Sequence, residues 1–77
     1  YQIYNEKEII TPNGFKRIDR LCIKNKEAVI IDYKTGNEST THHQQLNEYA
    51  QYVTEIGYQV KQKILVYLYP SVTVKIL

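Results

Sequence analysis

Hydrophobic and polar positions recur along this chain in two periods, and the change of period marks its elements. From Phe15 to Ile23 they alternate, setting Arg17, Asp19, Leu21 and Ile23 on one face of a strand and Ile18, Arg20 and Cys22 on the other. Ala28-Val29-Ile30-Ile31 is continuously apolar and β-branched, the pattern of a buried strand, and it runs on into Asp32-Tyr33-Lys34 before Gly36 ends it. From about His42 to Ile56 the spacing turns helical, with Leu46, Tyr49, Ala50, Val53 and Ile56 recurring up to Gly57, a natural stop. Lys63 to Tyr69 is a second β-rich run ended by Pro70, and Val72, Val74 and Ile76 then alternate with Thr73 and Lys75 in a short edge strand. Ahead of all these, Tyr1 to Ile10 mixes Ile and Tyr with charged residues as a half-exposed strand, with Glu6-Lys7-Glu8 in solvent.

The connections complete the picture. Thr11-Pro12-Asn13-Gly14 predicts a tight hairpin, because proline sets φ for the bend and Asn-Gly tolerates positive φ. Lys24-Asn25-Lys26-Glu27 predicts a second hairpin on a weaker turn signal, and Asn37 to Thr41 is a polar loop into the helix, with Thr41-His42-His43-Gln44 in the form of a capping box. The elements read β-β-β-α-β-β: an α+β (α/β) chain of antiparallel hairpins and a helical crossover that lays Ile64 to Leu68 parallel to Ala28 to Lys34.

Register then brings chemistry into view. A turn centred on Asn25-Lys26 sets Leu21 opposite Ile30, Ile23 opposite Ala28 and Asp19 opposite Asp32. Asp32 and Lys34 share a strand face, so two carboxylates and an ammonium meet beyond an apolar patch. Like charges directly opposite destabilise a sheet, and a divalent metal between them with Lys34 at its edge is the candidate remedy. The plainer reading is a same-face ion pair of Asp32 with Lys34 and a solvated Asp19 paired with Arg17 or Arg20. Gln45 and Tyr49 lie four apart on the inward helix face, where a tyrosine can serve the site or simply pack.

Composition narrows the class without naming it. The 77 residues, 43% hydrophobic, suffice for one small domain. The single cysteine, Cys22, rules out an internal disulfide or a four-thiolate cluster built by this segment alone, and a reducing cytosol is the natural setting. No apolar run is long enough for a bilayer span. A net charge of +2 is too mild to signal nucleic acid by itself. A start on Tyr1 and an end in mid-pattern at Leu77 read as a segment, residues 1–77, cut from a longer protein. His42 and His43 are adjacent and so face different ways, Cys22 is a small hydrophobe, and Tyr58, Tyr67 and Tyr69 belong to core or sheet surface.

Taken together, Arg17-Ile18-Asp19-Arg20-Leu21, Ile31-Asp32-Tyr33-Lys34-Thr35-Gly36 and Gln45-Leu46-Asn47-Glu48-Tyr49-Ala50 resemble the RecB and AddA type of nuclease domain, a branch of the PD-(D/E)xK nuclease superfamily. The resemblance covers about Glu6 to Tyr69 and implies a restriction-endonuclease-like core. It implies that Asp19, Asp32 and the backbone carbonyl of Tyr33 bind Mg2+ (or Mn2+), that Lys34 orients or deprotonates a water, and that Gln45 and Tyr49 belong to the catalytic set. Lys16, Arg17 and Arg20, with Gln45 and Tyr49, would contact DNA phosphates. The family's upstream helix, whose His or Glu completes the metal site, would precede Tyr1.

The implied protein is a metal-dependent exonuclease module of a bacterial DNA-repair helicase-nuclease. It would be cytoplasmic, with a helicase domain in the same chain, no membrane association and no iron-sulfur cluster in this segment. Two other readings stay open: a nuclease-fold module that binds DNA without cutting it, and an unrelated α+β interaction domain.

Overall fold

The computed structural model describes residues 1–12, 14–69 and 71–77. Strands β1 (Gln2–Thr11), β2 (Gly14–Lys24) and β3 (Glu27–Lys34) precede helix α1 (Thr40–Glu55), and β4 (Gln59–Tyr67) and β5 (Thr73–Ile76) follow it. The five strands form one mixed sheet in the order β1-β2-β3-β4-β5, with β3 and β4 parallel and the other neighbours antiparallel. The parallel pair lies where the strand-helix-strand order requires it, because α1 carries the chain back across the sheet before β4 begins. Asn13 of the first expected turn and the strand stop at Pro70 lie outside the described residues.

The second hairpin has the register that a turn at Asn25-Lys26 demands, with Leu21 opposite Ile30 and Ile23 opposite Ala28. Asn25 takes the left-handed conformation at φ 57, which its short polar side chain tolerates better than most. That tolerance makes a weak turn signal sufficient.

Helix α1 starts two residues before the expected His42. Its cap is Ser39, extended at φ −146 and ψ 141, whose Oγ accepts the Thr41 N–H at 3.2 Å. Ser39, Thr40 and Thr41 all offer a hydroxyl, and the box pattern singles out Thr41, which is already inside the helix. At the other end Gly57, at φ 107, lets the Tyr58 N–H reach back to the Val53 carbonyl at 3.2 Å. β4 begins at Gln59 rather than Lys63, because the Gln59 N–H immediately finds the Lys26 carbonyl at 2.7 Å. The polar residues Gln59, Lys61 and Gln62 hide that start from a hydrophobicity reading.

The core lies between α1 and one face of the sheet. Leu46, Tyr49 and Val53 of the helix are buried with Leu21 and Ile23 of β2, Ala28 and Ile30 of β3, and Leu65 and Tyr67 of β4. Strict alternation fails within β2. Ile18 was expected on the face opposite Leu21 and Ile23, yet it is fully buried in the same core, as is Ile9 of β1. The β1–β2 register passes from Asn5↔Arg20 to Lys7↔Ile18, stepping over Glu6 and Asp19, and Glu6 has a left-handed φ of 54. The far half of the hairpin therefore swings round to bury Ile9 and Ile18 with the helix residues, an irregularity of the kind that re-aims side chains next to functional sites.

No helix among the described residues is long and apolar enough to cross a membrane.

Candidate active site

The kink at Glu6 and Asp19, the end of β3 and the middle of α1 border one cleft of about 790 Å³. It is lined by Asp19, Asp32, Tyr33, Lys34, Gln45, Tyr49, Lys16 and Arg17, together with Glu8 and Phe15. Strand geometry explains the convergence. Asp32 sits one alternation beyond Ile30 on the core-facing side of β3, and Lys34 one further, at the rim.

The β2–β3 ladder ends at Arg20↔Ile31, so Asp19 and Asp32 are not a backbone pair as the register arithmetic expected. The Asp19 side chain takes over instead, its Oδ2 accepting the Tyr33 N–H at 2.9 Å. Both carboxylates still line the same cleft, and Asp19 acts on Asp32 there. A side chain has thus replaced one rung of the ladder, and the carboxylate pair survives the loss of regular pairing.

Asp32 is only 2% exposed. Burial first, and then Asp19, push its carboxyl up to about 6, while the Lys34 ammonium opposes the shift. Lys34 Nζ stands 3.0 Å from Asp32 Oδ2, yet that oxygen has no hydrogen-bond partner, so the contact is one of charge without bonding alignment. The ammonium's directed bond goes to Gln45 Oε1 at 2.6 Å. Gln45 therefore fixes Lys34 from the helix side. Tyr49 is buried, and burial followed by the charges of Asp32, Asp19 and Glu48 pushes its phenol up to about 12. It stays protonated at neutral pH and can donate a hydrogen bond but not act as a base.

These donors suit a hard cation. Among the described residues no group of three or more His, Cys, Asp and Glu side chains could hold a metal ion. Two carboxylates that leave a buried oxygen without a hydrogen bond nevertheless match the needs of Mg2+, which keeps several waters and binds through one or two carboxylates plus substrate phosphate. The Tyr33 carbonyl lies on the β2 side of its strand, as its N–H does, beyond the last ladder pair.

Arg20 does not line the cleft. Its Nε donates to Asn5 Oδ1 at 3.0 Å, and its guanidinium lies 6.0 Å from the Tyr33 ring centroid. Arg17 lines the cleft and makes a loose contact with Glu6 at 3.9 Å, both side chains largely in solvent. His42, expected in solvent at the helix start, is half-buried with Nδ1 3.1 Å from the Tyr67 hydroxyl. Cys22 is half-buried, Tyr67 buried and Tyr69 exposed.

Phe15 and Glu8 escaped the sequence reading. Nothing in their spacing signals the cleft, because the kink at Glu6 that turns their part of the hairpin is a tertiary feature.

Residues 16–73 match the family model described as the PD-(D/E)XK nuclease superfamily. No curated protein and no solved structure matches the chain.

Proposed function

The chain belongs to the PD-(D/E)XK nuclease superfamily, and from that premise we propose that it is a Mg2+-dependent deoxyribonuclease module of the RecB and AddA type. The observation that carries the proposal is the grouping of Asp19, Asp32 and a Gln45-anchored Lys34 in one cleft with Lys16 and Arg17. Family membership supports nuclease chemistry with a divalent ion. The Gln45 and Tyr49 pair on α1 supports the finer assignment to an exonuclease acting in DNA repair beside a helicase in a bacterial cytoplasm.

Asp19, Asp32 and the Tyr33 carbonyl would hold the metal, which when bound neutralises phosphodiester charge and acidifies a water. The residues do the positioning. Asp19 is steadied by the Tyr33 N–H, and Lys34, steadied by Gln45, directs its ammonium to the edge of the carboxylate pair. There it can orient the attacking water or stabilise charge growing on the phosphate. Tyr49, held neutral, donates to an anionic oxygen, and Lys16 and Arg17 grip flanking phosphates without reading sequence.

A magnesium or manganese titration followed by NMR, run beside a cleavage assay, tests the proposal. Shifts concentrated at Asp19, Asp32 and Tyr33 are expected, with cleavage lost in Asp32→Ala and lowered about 100-fold or more in Lys34→Ala. Metal-insensitive spectra together with Asp32→Ala cleavage at the wild-type rate would refute it. Salt-sensitive DNA binding without any cleavage would select the binding-module reading instead.

A further inference from the structure

One wall of the cleft is not used by the groups that carry the chemistry. Phe15 lines the same cleft as Arg17, Asp19 and Asp32, yet the residue is 76% exposed. Across the ladder its partner is Ile10, itself 64% exposed. Phe15 and Ile10 thus form an apolar ledge at the mouth of a polar cleft.

The ledge is firmly held. Behind it Ile9 and Ile18 are buried with Leu46, Tyr49 and Val53, so the hairpin end is anchored to the helix that also carries Gln45. Phe15 and Arg17 alternate onto the same face of β2, while Lys16 points the other way, and all three border the cleft. Arg17 makes a loose contact with Glu6, which a phosphate can displace. Glu8, opposite Arg17 in the ladder, also borders the cleft and disfavours phosphate at its own position. A flat apolar surface two residues from a cation matches the repeating unit of a nucleic acid, a base joined to a phosphate.

We propose that Phe15, backed by Ile10, is a base-stacking platform for an unpaired nucleotide next to the phosphodiester held at Asp19 and Asp32, so that the cleft takes single strands or frayed ends in preference to intact duplex. The inference rests on the nuclease reading above and names the substrate class of that same site. Stacking needs a free base face, which a single strand offers and an intact duplex hides. An aromatic ring serves every base alike, so the platform confers strand-state preference without sequence preference.

The chain has no tryptophan, so Phe15→Trp introduces a single indole at the ledge. Short oligodeoxythymidylate added in EDTA, where metal-dependent hydrolysis is blocked, should quench its fluorescence, and a blunt duplex of equal length should not. Phe15→Ala should weaken oligodeoxythymidylate binding about fivefold or more with little change for duplex. Phe15→Tyr should retain binding, and Phe15→Leu should lose it as alanine does, which separates stacking from general apolar contact. Unchanged circular dichroism is expected throughout, because the side chain lies outside the core.

Absence of quenching, equal losses for single strand and duplex, or full binding by Phe15→Leu would overturn the platform. Cleavage that depends on Asp32 but is indifferent to Phe15→Ala on single strands would overturn it and leave the nuclease reading standing. A wild-type chain that neither binds nor cuts DNA would end both.

Discussion

At the scale of single residues, Asp32 is where stability and chemistry conflict. Its carboxyl is pushed up to about 6 because burial disfavours the charged form and Asp19 adds to the effect. A raised acid pKa means that the folded state holds its proton more tightly than the unfolded chain does. The stabilisation is complete below the unfolded value near 3.8 and is lost as pH rises through about 6. Asp32→Asn keeps the shape and removes the charge, so in EDTA it should gain stability over the wild type across that window. The gain should approach about 2–3 kcal/mol near neutral pH, read from urea midpoints, while cleavage is abolished. A variant no more stable than wild type at neutral pH would contradict the electrostatic account of the site. Lys34 and Gln45 show how one residue limits another's freedom, since the 2.6 Å bond between them joins β3 to α1 at the rim of the cleft.

At the scale of elements, the kinked hairpin decides what the cleft contains. Glu6 occupies a left-handed conformation at φ 54, which costs an L-residue with a Cβ roughly 1–2 kcal/mol and a β-branched residue more. Glu6→Gly should relieve that strain and stabilise the chain by up to about 1 kcal/mol, its loose contact with Arg17 offsetting little. Glu6→Val should destabilise by about 1–2 kcal/mol and lower the hydrogen-exchange protection of β1 and β2 beyond the kink, with α1 less affected. Equal stability of the two variants would mean that the left-handed turn is not what bends the hairpin. The same kink defeats the alternation of β2. Pattern reading presumes one pleated ribbon, whereas Ile18 and Leu21 share a core because the ribbon is bent between them. Helix α1 was easier to read, because Leu46, Tyr49 and Val53 follow the helical period and all three are buried. Only its cap shifted, from Thr41 to Ser39, where neighbouring hydroxyls compete for one role.

At the scale of the whole molecule, a single helix covers one face of a five-stranded sheet. On the other face Val29, Ile31, Ile64 and Val66 are half-buried, and Val74 and Ile76 are exposed. Part of the hydrophobic surface is thus left out of the core, and site ligands should have a large effect on so small a fold. A divalent ion that binds the folded chain alone stabilises it by about 2.7 kcal/mol at a hundredfold excess over its Kd. Saturating Mg2+ or Mn2+ should therefore raise the melting temperature by several degrees at about pH 8, where Asp32 is ionised. The rise should vanish below about pH 5, where Asp32 carries its proton and the metal must displace it. A metal-induced shift of equal size at both pH values would exclude Asp32 as the ligand.

The sequence by itself determined the local order of this protein. Period and turn chemistry define three strands, a helix and two further strands, and a turn at Asn25-Lys26 sets the register that matches Leu21 to Ile30. These features depend on interactions between near neighbours in the chain, and those are written in residue spacing. Tertiary structure alone decided how the site is put together. It ended the β2–β3 ladder short of Asp19 and gave the Tyr33 N–H to a carboxylate, and it sent Arg20 away from the cleft. It also brought Phe15 and Glu8 into that cleft through a bend at Glu6. Those outcomes turn on packing between segments far apart in sequence, where burying Ile9 and Ile18 with the helix outweighs the regular pleat, and no spacing rule along the chain encodes that balance.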